Sequence, residues 1–302
     1  GEGVALGIGD DCALLAVPPG EQLAISTDTL VAGVHFADPC DPFLLGQRSL
    51  AVAVSDLAAM GATPVAFTLA LTLPTVTADW LDAYARGLNI MAQRCGVALV
   101  GGDTTRGPLS LTMTVFGRVP AGLALTRSGA QPGDLLCVGG ELGNAAGALP
   151  LVLGQRTAEA TIADPLLAHY WSPQPQLALG QALRGKATSA LDISDGLLAD
   201  CGHIALASKV GIQIERHRLP LSNALVAFLG QSGAEVAALS GGDDYVLAFT
   251  LPPVELPKLV ADGWPIHVVG RVVTGQGVVL LDADGQDITP QNRGYQHFRE
   301  TP

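Results

Sequence analysis

Apolar runs alternate with Gly-, Asp- and Thr-rich breaks along nearly the whole chain, and the period of each run predicts its element. Residues 22–28 read as a short buried strand ending in Ser26-Thr27-Asp28, and a loop over 31–41 carries His35. Asp41-Pro42 starts a helix, with Asp as cap and Pro in the first turn, which runs to Met60 and stops at Gly61. Residues 64–73 predict a strand, 77–95 a helix capped by Thr77 and ended by Gly96, and 97–100 a strand leading into a Gly101-Gly102-Asp103 turn. Residues 109–119 alternate like a strand. Pro120, Gly122, Gly129, Pro132 and Gly133 mark 120–134 as a linker. Beyond it, strands are expected at 135–138, 188–193, 211–215, 245–250 and 267–273, with helices at 144–153, 158–170, 175–184, 195–208, 223–229 and 254–261. The tail 278–302 reads as part strand and part irregular. This order predicts an α/β (α+β) protein with an N-terminal domain over 1–119, a linker over 120–134 and a C-terminal domain over 135–302.

Composition narrows the picture. Of 302 residues, 48% are hydrophobic and 15% charged, enough for a large core and too apolar for disorder. The net charge of −12 and the lack of a Lys/Arg stripe exclude nucleic-acid binding through phosphate neutralisation. An acidic protein can still bind polyphosphate, with a metal ion supplying the positive charge. The stretch 57–78 carries no charge, but Gly61, Pro64 and Pro74 interrupt it, so it reads as a helix end and a buried strand rather than a membrane span. Cys12, Cys40, Cys95, Cys137 and Cys201 form no CxxC pair and read as reduced thiols of a cytoplasmic protein. No signal peptide is visible, and the start at Gly1 rather than Met suggests that native residues precede it.

The candidate chemistry lies in six acidic segments: Gly9-Asp10-Asp11, Ser26-Thr27-Asp28, Ser55-Asp56, Gly101-Gly102-Asp103-Thr104-Thr105, Asp192-Ile193-Ser194-Asp195-Gly196 and Gly241-Gly242-Asp243-Asp244-Tyr245. Each adjoins an apolar run. Asp is a poor strand former and a costly buried charge. One such residue is ordinary turn chemistry; six suggest hard oxygen ligands for divalent cations around a transferred phosphoryl group. The Gly-Gly pairs could present backbone N–H groups to phosphate. Ser55-Asp56-Leu57 echoes Ser194-Asp195-Gly196-Leu197, and Gly101-Gly102-Asp103 echoes Gly241-Gly242-Asp243, as two related half-sites would. Gly180–Lys186 spells the start of a P-loop, but Ala187 stands where the metal-binding Ser or Thr belongs and the preceding segment is helical. GxSxG and HExxH motifs are absent, and the six histidines lack zinc-ligand spacing. His35 is within reach of the Asp28 strand, and Arg127 is one of few cations able to meet a phosphate oxygen.

Taken together, Ala24-Ile-Ser-Thr-Asp-Thr-Leu-Val, Ser55-Asp-Leu-Ala-Ala-Met-Gly61, Gly101-Gly-Asp-Thr-Thr-Arg-Gly107, Leu125-Thr-Arg-Ser-Gly129, Asp192-Ile-Ser-Asp-Gly196 and Gly241-Gly-Asp-Asp-Tyr245 resemble the bacterial thiamine-monophosphate kinases, from Gly7 to Phe298. The resemblance implies a two-domain aminoimidazole-ribonucleotide synthetase-like fold whose ATP site has no P-loop. It implies direct in-line transfer of the ATP γ-phosphate to thiamine monophosphate, giving thiamine diphosphate. By position, Asp11, Ser26, Thr27, Asp28, Asp56, Asp103, Asp192 and Asp195 become ligands of several Mg²⁺ ions. Gly102, Asp103, Arg127 and Ser194 become ATP contacts, and His35, Asp243 and Tyr295 become contacts to the thiamine substrate. No general base is implied. The family pattern has Glu at the position of Asp243, and its members pair as homodimers through their N-terminal domains. Selenophosphate synthetase and hydrogenase-maturation relatives are set apart by the cysteines they use, which Cys12 and the terminal Glu300-Thr301-Pro302 do not match.

Overall fold

The computed structural model describes residues 2–9, 11–291 and 294. The chain groups into two compact units: residues 1–124 with 171–181, and residues 125–170 with 182–302.

In the first unit, two short strands, β1 (Val4–Leu6) and β2 (Leu14–Leu15), pair antiparallel. Strands β3 (Glu21–Val31), β4 (Thr63–Leu73), β5 (Ala98–Arg106) and β6 (Ser110–Pro120) form a sheet in the order β3-β6-β4-β5, with only β4 and β5 parallel. Helices α1 (Pro42–Ala59) and α2 (Ala78–Cys95) complete the unit. Asp41 caps α1 through the Phe43 N–H at 2.8 Å, and Thr77 caps α2 through the Trp80 N–H at 3.3 Å. The two helices run nearly in contact: a Cβ on Gly87 would meet the Phe43 carbonyl oxygen at 1.9 Å. Leu111, Met113 and Val115 of β6 turn one sheet face into the core, and α1 is buried along most of its length.

Two readings change here. The strand through Asp28 does not end there but continues to Val31, and Gly101-Gly102-Asp103 is not a turn but the middle of β5. Both β3 and β5 are edge strands, where Asp and Gly can leave one side of the ladder to solvent. The charge-free stretch 57–78 resolves into the end of α1 and β4, and among the described residues no helix is long and apolar enough to cross a membrane.

The second unit holds β7 (Leu135–Val138), α3 (Asn144–Val152), α4 (Ala160–Trp171, its last residue in the first unit), α5 (Leu177–Leu183, shared with the first unit), β8 (Ser189–Asp192), α6 (Leu197–Ser208), β9 (Gly211–Glu215), α7 (Asn223–Ser240), β10 (Leu247–Leu251), α8 (Leu256–Ala261), β11 (His267–Val273) and β12 (Gly277–Leu281). The sheet order is β12-β9-β11-β7-β10-β8, antiparallel except for β12 with β9. Its core gathers Leu136, Val138, Leu191, Ile193, Ile204, Ile212, Ala248 and Val269. The helix expected over 223–229 runs on to Ser240, bending at Gly230, whose φ of 72° is not helical. Gly230 hides the continuation because it reads as a stop signal in sequence.

Candidate functional site

In the first unit the alternation of β3 divides the Ser-Thr-Asp segment between two faces. Ser26 and Asp28 point to the helix side, and Thr27 points outward. Asp56, in the last turns of α1, accepts a hydrogen bond from the Ser26 hydroxyl. Burial, and then the neighbouring Asp56 charge, push the Asp28 carboxyl up to about 6. A hydroxyl and two carboxylates at an electronegative point suit a hard divalent cation, which would relieve the repulsion that raises Asp28.

The other predicted ligands of this unit lie elsewhere on it. Thr27 pairs with Thr114 across the outer face, their hydroxyls 3.0 Å apart. Asp103 lies on the same face, in register through Ala70 and Thr112 with Thr29. Gly102 is held where a Cβ would meet the Leu69 carbonyl oxygen at 2.0 Å, so only glycine lets β5 approach β4 this closely. Asp11 is exposed between β1 and β2, and Asp10 lies outside the described residues. Among the described residues no three His, Cys, Asp or Glu side chains are gathered as a ready metal site.

His35 sits in a tight turn after β3. The Val31 N–H donates to its Nδ1 at 3.0 Å, so a neutral ring carries its proton on Nε2. Arg48 of α1, 1% exposed, donates from Nη2 to the His35 carbonyl at 3.4 Å.

In the second unit, Asp192 closes β8 opposite Leu247, and the chain turns through exposed Ser194 and half-buried Asp195 into α6. A second loop, 241–245, lies against this turn. The Asp243 N–H donates to the Ser194 carbonyl at 2.9 Å and the Tyr245 N–H to that of Ile193 at 2.8 Å. Asp243 and Tyr245 both take positive φ, 70° and 51°, and the Tyr245 hydroxyl donates to the Asp243 carboxylate at 3.1 Å. Gly242 is obligatory, since its Cβ would meet the Ser194 carbonyl oxygen at 2.3 Å. Arg127 is exposed, and its backbone is anchored by the Ser208 hydroxyl, which donates to its carbonyl and accepts from the Ala130 N–H, both at 3.1 Å. Tyr295 lies outside the described residues.

Two buried carboxylates organise these loops: Asp200 lies in none of the six acidic segments, and Asp244 lies in one of them with no role assigned to it. Asp200 accepts the N–H groups of Ser194, Asp195 and Gly196 at 3.0, 3.0 and 3.1 Å. Burial pushes it up to about 6 against the pull of those N–H groups. Asp244 accepts the Gly143 N–H at 2.7 Å at the start of α3, and burial pushes it up to about 8. The available signal for Asp200 was an acidic residue in the first turn of a helix that follows a Ser-Asp-Gly break.

Comparison with known proteins adds the family. Residues 9–119 match the AIR synthase related protein, N-terminal domain, and 131–282 the C-terminal domain of the same family. The thiamine-monophosphate kinase of Escherichia coli (strain K12) is 46% identical over 302 residues, covering 98% of this chain and 92% of that protein. The crystal structure of thiamine-monophosphate kinase from Stenotrophomonas maltophilia K279a superposes with a TM-score of 0.88 at 44% identity, covering 94% of this chain and 92% of that one. The structure of AaThiL complexed with AMPPCP and TMP gives a TM-score of 0.84 at 29% identity, covering 94% and 89%.

Proposed function

The chain belongs to the thiamine-monophosphate kinase family of AIR synthase related proteins, and from that membership we propose that it transfers the γ-phosphoryl group of ATP to thiamine monophosphate. A phosphate oxygen of thiamine monophosphate attacks the γ-phosphorus in line, the bond to the β–γ bridging oxygen breaks, and ADP and thiamine diphosphate leave. The attacking oxygen is already anionic, so the step needs no general base. Positioning and neutralisation of charge supply the catalysis.

Magnesium fits the donor set of this chain. Ser26, Asp28 and Asp56 would hold one ion on the helix side of β3, and Asp11, Thr27, Asp103, Asp192 and Asp195 would serve further ions; when bound they supply the positive charge that a protein of net charge −12 lacks. Gly102, Asp103, Arg127 and Ser194 serve ATP, with the Arg127 guanidinium suited to a phosphate oxygen. His35 offers its Nε2–H to the thiamine monophosphate side, with the ring held by the Val31 N–H. Asp243 and Tyr295 serve the thiamine moiety. An aromatic face attracts the cationic thiazolium. Asp243 is shorter than the Glu that the family pattern carries, and its carboxylate is steadied by the Tyr245 hydroxyl.

The protein acts in the cytoplasm as a homodimer through its first unit. Leu23 and Ile25, 41% and 58% exposed, share the outer face of β3 with Thr27 and Thr29, an apolar surface suited to a second copy.

The observation that carries the function is the near-full-length likeness to the kinases, which spans every acidic segment. The test is ADP release with Mg-ATP and thiamine monophosphate, against thiamine, aminoimidazole-pathway nucleotides or no acceptor.

A further inference from the structure

We infer that Asp200 is a positioning residue of the nucleotide side of the site, holding the 194–196 turn in its working shape through a single carboxylate oxygen. The inference rests on the kinase reading for what the turn does, and on geometry alone for how the turn is held.

Asp200 lies in the first turn of α6, 4% exposed, and its Oδ2 receives three successive backbone N–H groups at 3.0–3.1 Å. A helix normally satisfies such donors one at a time with a cap residue ahead of it. Here the cap is Gly196, which has no side chain to offer, and the acceptor reaches back from inside the helix. With Ser194, Asp195 and Gly196 all donating inward, the turn is fixed with its Ser194 side chain exposed. The Ser194 carbonyl then takes the Asp243 N–H, and the Ile193 carbonyl takes that of Tyr245. One buried carboxylate so sets the turn that carries Ser194 and Asp195 and, through one further hydrogen bond, the loop that carries Asp243.

Hydrogen bonds to an ionised acceptor are stronger than neutral ones, and removing the acceptor would take the partner from the buried Gly196 N–H and from the part-buried N–H groups of Ser194 and Asp195. Asn in its place keeps one oxygen of the same reach and loses the charge; Ala keeps neither.

The test compares Asp200→Asn and Asp200→Ala by amide hydrogen exchange, by AMPPCP binding without acceptor, and by turnover. In Asp200→Ala, the Ser194, Asp195 and Gly196 amides should exchange at least about tenfold faster while those of β10 keep their protection, and nucleotide affinity and kcat should each fall about 10–100-fold. Asp200→Asn should lie between this variant and the parent in all three, and in a Ser194→Ala background Asp200→Ala should cost little further nucleotide affinity. Unchanged exchange at the three amides, or Asn no better than Ala, overturns the inference. If Asp200→Ala does not fold, the Asn variant carries the test, and parent-like exchange and binding in it overturn the inference. The exchange and binding arms do not require phosphoryl transfer, so an inactive parent would overturn the kinase reading and leave these arms to decide the role of Asp200.

Discussion

The Ser26 hydroxyl donates to the Asp56 carboxylate, tying the middle of β3 to the last turns of α1. With Asp28 held up to about 6 by burial and by Asp56, this corner of the first unit brings two carboxylates together. Such a place suits a cation and the phosphates it accompanies.

Replacing Asp56 by Asn removes a charge proposed to hold magnesium and keeps the size of the side chain. Turnover should fall by about 100-fold or more, on the scale of losing one electrostatic stabiliser. Thermal unfolding should be unchanged or slightly later, because the repulsion on Asp28 is relieved. Steady-state kinetics and a melting curve on one preparation check both halves, and unchanged kcat would remove Asp56 from the site.

Adding a methyl group at Gly242 should damage the second unit locally. The Cβ of Gly242→Ala would meet the Ser194 carbonyl oxygen at 2.3 Å, so the 241–245 loop must move off the 194–196 turn. A destabilisation of about 1–3 kcal/mol is expected, with KM for thiamine monophosphate raised through Asp243. Chemical denaturation and initial rates measure these, and a variant equal to the parent in both would show that the two loops are not coupled.

Asp244 gives stability a pH dependence of definite sign. Burial raises its folded carboxyl from 3.8 to about 8, with Asp243 and Asp200 adding repulsion and the Gly143 and Ala145 N–H groups opposing. The folded state holds the proton more tightly than the unfolded one, so this contribution is full below about pH 4 and is lost as pH rises through about 8. The slope from this one group is at most about 1.4 kcal/mol per pH unit. Asp244→Asn keeps an acceptor for the Gly143 N–H and should flatten the decline, which denaturation at several pH values between 5 and 8 would reveal. An equal slope in the variant would contradict it.

Ile25→Asp places a charge on the outer face of β3, where Ile25 is 58% exposed. Light scattering should find the parent dimeric and the variant monomeric at micromolar concentration. A dimer in both would move the interface elsewhere.

Much of the fold was legible because its signals are local. Asp41-Pro42 and Thr77 announce the two helices of the first unit, and the alternation along β6 announces its strand. What escaped was set by position in the sheet. Gly101-Gly102-Asp103 has turn chemistry, yet it is strand because β5 lies at an edge and Gly102 must pass close to Leu69. The acidic segments were visible as a set, but the faces they occupy were not: Thr27 and Asp28 are neighbours in sequence and lie on opposite sides of β3. Asp200 escaped, and Asp244 was visible only as a member of its acidic segment, because their partners are backbone N–H groups, which leave no mark in a sequence.

The most direct measurement is ADP release with Mg-ATP across a panel of acceptors, with the product identified. The account predicts turnover with thiamine monophosphate, yielding thiamine diphosphate, and none with thiamine, aminoimidazole-pathway nucleotides or water at a comparable rate. Turnover with a different acceptor and none with thiamine monophosphate would contradict it.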